Sequence, residues 1–222
     1  MTADILVAGG TGYMGRHLVP ALLARGHRVH VLARHASLSR VPAGATAVAG
    51  DALDADSYAA ALRAIGPAAT VVHLVGTPHP SPSKAAEFER VDLASIRAGI
   101  EAARRAGIAH FVYVSVAQPA PIMQAYVAVR AEGERLIRDA RLTATVLRPW
   151  YVLGPGHRWP IVLAPLYALA ELFPGKRDAA RRLGLVTLPQ MVNALVRAVE
   201  DPPPTASLRV VEVPAIRAAP GA

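Results

Sequence analysis

The chain has 222 residues, 53% of them hydrophobic, enough to bury one sizeable core but hardly two full domains. It contains no cysteine, which excludes disulfides and thiolate chemistry and suits a reducing compartment. A formal charge of +8 from 24 basic and 16 acidic residues suggests anionic partners, yet the arginines are scattered and aromatics make up 5%, so the charge reads as a solvated surface and no nucleic-acid partner is expected.

Apolar runs rich in valine alternate with helical stretches along the chain. The expected strands are Ile5–Ala8, Val29–Ala33, Ala47–Ala49, Thr70–Leu74, Phe111–Ser115, Thr143–Leu147 and Arg209–Val213. Helices are expected after the first glycines, with Met14, Leu18, Ala21 and Leu22 on the apolar face, and near 55–65, 84–106, 124–139 and 189–200. Such alternation implies parallel pairing, and strands apolar on both faces imply helices on both sides. The predicted fold is therefore α/β, a doubly wound parallel sheet of the Rossmann type with a small C-terminal substrate lobe. Residues 1–155 should form the core, 156–185 a lid and 186–213 a closing helix and strand, with a frayed tail beyond Val213. The first strand begins too early to leave room for a signal peptide, so the expected location is the cytoplasm.

The glycines between the first strand and helix satisfy two spacings, Gly9-x-x-Gly12-x-x-Gly15 and Gly10-x-Gly12-x-x-Gly15. The first ones allow a sharp turn, Gly12 lets backbone N–H groups approach a pyrophosphate, and Gly15 lets helix and strand pack closely. Thr11, Tyr13 and Met14 complete this turn, and the helix N-terminus supplies an anion site. At the end of the second strand stands Arg34, where a site for NAD would carry a carboxylate. No acidic residue occurs between Gly15 and Asp51, whereas Arg16, Arg34 and Arg40 do, so NADP(H) is preferred over NAD(H).

Asp51, Asp54 and Asp56 resemble a hard-cation set, but Asp54 or Asp56 is placed to cap the next helix and Asp51 to accept from an adenine amino group. His27 and His30 would lie on opposite faces of a strand, so no metal is expected. Proline-rich segments at 77–83, 118–121 and 154–156 follow strand ends and are candidate walls of a small-molecule pocket. The apolar 160–173 segment, interrupted by Pro165 and Glu171, is too short to span a bilayer. It reads as a lid over a pocket near Trp150, Tyr151 and Trp159, with an interfacial helix as the alternative.

The run Gly9-Gly10-Thr11-Gly12-Tyr13-Met14-Gly15-Arg16, the pair Gly50-Asp51, the motif Tyr126-x-x-x-Arg130-Ala-x-Gly133-Glu134 and Leu147-Arg148-Pro149 together resemble the short-chain dehydrogenase/reductase superfamily. The order and length are most similar to its atypical members: isoflavone-reductase-like enzymes, NAD(P)-sensing nitrogen regulators and the accessory Rossmann subunit of respiratory complex I. The resemblance places Ala52, Leu74, Val75, Gly76, Arg130 and Pro149 along the cofactor. It also implies a catalytic tyrosine, Tyr126, which exchanges a proton with the substrate oxygen, and puts Arg130 where the family has a lysine. Val116 falls on the family serine that polarises the carbonyl, with Ser115 one residue early and Gln118 or Thr77 as substitute donors. Three functions follow: an NADP(H)-dependent oxidoreductase acting on a small carbonyl, enone or quinone-like substrate; a non-catalytic NADP(H)-sensing or scaffold protein; and a nucleotide-sugar epimerase or dehydratase.

Overall fold

Seven parallel strands form one sheet: β1 (Asp4–Ala8), β2 (Arg28–Ala33), β3 (Thr46–Ala49), β4 (Thr70–His73), β5 (His110–Val114), β6 (Ala144–Arg148) and β9 (Leu208–Glu212). Two more, β7 (Tyr151–Leu153) and β8 (Leu185–Thr187), pair in parallel as a separate ribbon. The computed structural model describes residues 2–156 and 181–219. Spatial order in the large sheet is β3-β2-β1-β4-β5-β6-β9, so the chain reverses its direction of travel between β1 and β4. This is the Rossmann order, and ligands bind at the strand ends beside such a reversal. Each of the seven strands expected from the sequence is present, with ends that agree to within about one residue, inside the fraying expected of element boundaries.

Helices α1 (Gly15–Ala24), α2 (Ala55–Ile65), α3 (Ala94–Ala106), α4 (Gln124–Asp139), α5 (Leu188–Glu200) and α6 (Val213–Arg217) cover both faces. The period-2 alternation of β1 explains the division. Ile5 and Val7 belong to the core shared with Leu18 of α1 and Leu195 of α5, whereas Leu6 and Ala8 belong to the core shared with Leu62 of α2 and Ile96 of α3. Burial on both sides is why these strands read as unbroken apolar runs. Among the described residues no helix is long and apolar enough to cross a membrane.

Three local features differ from the sequence reading. The single helix expected over 84–106 is broken up: Pro82–Lys84 and Ala85–Glu87 form short turns, and Phe88–Leu93 is a π-helical stretch leading into α3. A π-turn holds one more residue than an α-turn, and this one buries Phe88 and Asp92. The tail beyond Val213 does not fray at once, because α6 buries Val213 and Ile216 completely and Arg217 Nε donates to the Leu185 carbonyl at 2.7 Å. Alanine and proline content suggested a loose end, but proline at the second position of a helix needs no N–H acceptor. Strand β7 was not foreseen, being three residues long. The expected lid at 160–173 and Trp159 lie outside the described residues.

Of the two candidate caps for α2, Asp54 takes the role, its carboxylate accepting the N–H groups of Asp56 and Ser57, while Asp56 pairs with Arg105. Asp54→Ala should therefore cost about 1 kcal/mol. In a domain of this size that is a fall of roughly 2–4 °C in Tm, readable by circular dichroism. An unchanged Tm would show that water replaces the cap without loss.

Candidate functional site

The glycine turn is tightened by one hydrogen bond, from the Gly12 N–H to the Gly9 carbonyl at 3.0 Å, with Gly9 at φ +88°. A Cβ on Gly15 would lie 2.4 Å from both the Gly9 carbonyl oxygen and Gly10 Cα, so no side chain fits where α1 meets the turn. Among the described residues the Met14 and Gly15 N–H groups make no hydrogen bond, and the first turn of α1 carries no acidic residue. Unpaired N–H groups and a positive helix end, with no carboxylate nearby in the helix, suit a pyrophosphate. Leu74 lies under Gly9 and donates its N–H to the Ala8 carbonyl at 2.9 Å, supporting the turn from β4.

A cleft of about 340 Å³ runs from this turn across the ends of β2 and β3. Gly9, Thr11, Ala52, Val75, Gly76 and Glu87 line it. At the far end stand Arg34, Ser37 and Arg40. Arg34 is exposed at the start of the turn His35–Arg40, its carbonyl accepting the Ser37 N–H at 2.7 Å, and Arg40 is held to Ser37 Oγ at 2.5 Å. Asp51 lines the cleft and is fixed by two local bonds, its Oδ1 accepting the Leu53 N–H and its own N–H donating to Ser57 Oγ. Arg16, grouped with Arg34 and Arg40 in the sequence, instead lies over the Tyr13 ring at 5.5 Å and does not line this cleft.

On the other side of the turn a second cleft, of about 360 Å³, brings Tyr13 and Met14 together with Ser115, Val116, Tyr126 and Pro149. Trp150 and Tyr151 form an aromatic wall, their rings 5.4 Å apart, and His79 and Pro80 come from the loop after β4. Helix α4 sets Tyr126 in place: its ring leans on Phe88 at 5.0 Å, and the guanidinium of Arg130, one turn on, sits 5.1 Å above it. A cation over an aromatic face is attracted by the ring quadrupole.

Arg130 is not a freely extended side chain. It is 5% exposed, donating from Nη2 to Asp92 Oδ1 at 2.5 Å and from Nη1 to the Val114 carbonyl at 2.9 Å. Burial works against its charge, but Tyr126, Tyr113 and Asp92 outweigh that and raise its pKa. Asp92, almost fully buried, accepts in addition the N–H and hydroxyl of Thr77 at 2.9 and 2.7 Å. A Cβ on Gly76 would lie 2.2 Å from Arg130 Nη2, so that glycine leaves room for the guanidinium. Ser115 is equally engaged: its hydroxyl donates to Glu134 Oε1 at 2.6 Å, an oxygen that also accepts from Gln118 Nε2 at 2.7 Å. Glu134 is gripped by Arg148, which reaches on to Glu212 at 2.9 Å.

The structure thus gathers Ser115 and Tyr126 into one cleft, with Arg130 against the tyrosine ring. It assigns Gln118 and Thr77, considered as substitute donors, to buried carboxylates. Asp92 and Glu134 were not singled out for a role from sequence. A signal existed in helical spacing: Phe88, Asp92 and Ile96, and Tyr126, Arg130 and Glu134, recur at intervals of four and mark polar groups on a buried stripe. Among the described residues there is no cluster of metal-ligating side chains.

The family described as NAD(P)H-binding matches residues 9–159 of the chain. A 3-diazoavenalumate denitrifying reductase from a Streptomyces species is 32% identical over 221 residues, covering 89% of this chain and 72% of its own length. The ceramide reductase of Caulobacter vibrioides is 31% identical, over 80% of this chain and 55% of its own, so the chain spans only about half of that relative. In fold, the UDP-glucose 4-epimerase of Thermus thermophilus in complex with NAD aligns with a TM-score of 0.66 at 22% identity, over 94% of this chain and 77% of its own. A short-chain dehydrogenase/reductase superfamily protein from Agrobacterium tumefaciens with bound NAD aligns at 0.67 and 18% identity, with the same coverage. With the glycine turn, the strand order and the family match in agreement, the chain belongs to the NAD(P)H-binding family.

Proposed function

We propose that the protein is an NADP(H)-dependent reductase of a small carbonyl, enone or quinone-like compound, with Tyr126 as proton donor. One observation carries this: Tyr126 enters a cleft beside the glycine turn with a permanent cation 5.1 Å above its ring. The bound dinucleotide would supply the hydride. Tyr126 then passes its phenolic proton to the substrate oxygen, and the Arg130 charge stabilises the phenolate left behind. Arg130 cannot relay a proton as a lysine would, so the phenol regains its proton from solvent. Trp150, Tyr151 and Val116 supply an apolar wall. The reductase relatives favour this reading, and the absence of cysteine suits work in the cytoplasm.

Arg34 and Arg40 at the far end of the first cleft favour the 2′-phosphate of NADP. One charge-assisted pair is worth about 1.5–3 kcal/mol, roughly ten- to hundredfold in affinity. Titration with NADPH and NADH, followed by tryptophan fluorescence, should show that preference, and Arg34→Glu should weaken NADPH about tenfold or more while sparing NADH. Equal affinity of the wild type for both would remove the NADP preference.

A second reading, a non-catalytic NADP(H) sensor, is favoured by the tie of Ser115 to Glu134 and of Arg130 to Asp92. Steady oxidation of NADPH with any member of a carbonyl panel would eliminate it.

A further inference from the structure

A carboxylate gripped by an arginine is ionised, and an ionised carboxylate only accepts hydrogen bonds. Glu134, 2% exposed, meets that condition: Arg148 donates to it from Nε at 2.9 Å and also from Nη2, and Gln118 Nε2 donates at 2.7 Å. The hydrogen in the 2.6 Å contact between Ser115 Oγ and Glu134 Oε1 must therefore come from the serine. A hydroxyl has one proton and two lone pairs. Ser115 lines the second cleft, and with its proton committed it has only lone pairs to offer there. A serine placed to polarise a carbonyl would have to donate, which this one does not.

We propose that Glu134 is a specificity-determining positioning residue: it turns Ser115 into an acceptor, and the cleft selects substrates with a hydroxyl or N–H donor next to the group that is reduced. Tyr126 serves the reducible oxygen and Ser115 receives the neighbouring donor. The substrate class this adds, a hydroxylated or amino-substituted carbonyl compound, rests on the reductase reading above, whereas the acceptor character of Ser115 does not. A bare ketone leaves Ser115 without a partner, and an ether in place of the hydroxyl sets lone pair against lone pair.

The test uses the full chain with NADPH and two matched ketones, 2-hydroxyacetophenone and 2-methoxyacetophenone. It follows kcat/KM, and in parallel ketone binding to the NADP-loaded protein by tryptophan fluorescence. Wild type should prefer the hydroxy ketone about tenfold, the worth of one neutral hydrogen bond. Ser115→Ala should bring the ratio near one. Glu134→Gln should keep the preference, because Gln118 Nε2 and Arg148 Nε both donate to the Oε1 position and hold the amide oxygen there, so Ser115 still donates to it. If Glu134→Gln fails to fold, the ratio in Ser115→Ala decides. A wild-type ratio near one, in both turnover and binding, overturns the proposal, as does a preference that survives Ser115→Ala. Turnover of both ketones without preference leaves the reductase reading standing and removes this inference. A tenfold preference in binding with no NADPH consumption does the reverse.

Discussion

Tyr126→Phe is expected to lower kcat by about 10²–10⁴-fold, the usual worth of a positioned general acid, while the Kd for NADPH stays within about twofold. Phenylalanine keeps the ring against Phe88 at 5.0 Å and under the Arg130 guanidinium, so packing is preserved and only the hydroxyl is lost. The ring contributes nothing to the first cleft, where the arginines and Asp51 lie, so cofactor affinity and turnover separate cleanly. Stopped-flow or steady-state NADPH oxidation at saturating substrate reads the first quantity and fluorescence titration the second. Retained turnover would remove Tyr126 from the mechanism. Joint loss of binding and turnover would show that it holds the cofactor.

Asp92→Ala should destabilise the protein by about 3–5 kcal/mol, the cost of stranding one member of a buried ion pair. Asp92 meets the Arg130 guanidinium at 2.5 Å, both side chains being almost fully buried, and it also satisfies the backbone and hydroxyl of Thr77. Removing it leaves a permanent cation and two donors without acceptors beside Tyr113 and Tyr126. Urea unfolding measures the loss. Asp92→Asn, which keeps a neutral acceptor, should fall between the two. A loss below about 1 kcal/mol for the alanine variant would mean that water reaches Arg130 and that the pair is not a dry one.

The fold was legible because it is written in composition that repeats. Continuous valine-rich runs separated by helical lengths admit little besides a doubly wound parallel sheet, and the glycine spacing located its ligand edge. The clefts were legible in part for the same reason. Gly9, Thr11, Arg34 and Asp51 lie within one strand-helix-strand unit and its neighbour, so local order placed them together. What sequence could not supply was the partner of each polar side chain. Arg130 was placed on the tyrosine's face by its spacing, but its partner Asp92 lies thirty-eight residues earlier, buried in a π-helical stretch that helical periodicity does not forecast. Ser115 showed the same limit: a one-residue offset from the family position indicated a changed direction, while its acceptor Glu134 emerged only from the packing of α4 on β5 and β6. Helix α6 escaped because burial of Val213 and Ile216 depends on a surface assembled from β8 and α5.

The ribbon of β7 and β8 pairs Tyr151 with Leu185 and Leu153 with Thr187, and neither strand joins the seven-stranded sheet. The pairing is parallel, so Leu153, where the chain leaves the ribbon, and Leu185, where it returns, stand at opposite ends of it, outside the hydrogen-bonded framework that builds the dinucleotide edge. The register of every framework strand is therefore set within the seven-stranded sheet itself, and the dinucleotide edge is built without the ribbon.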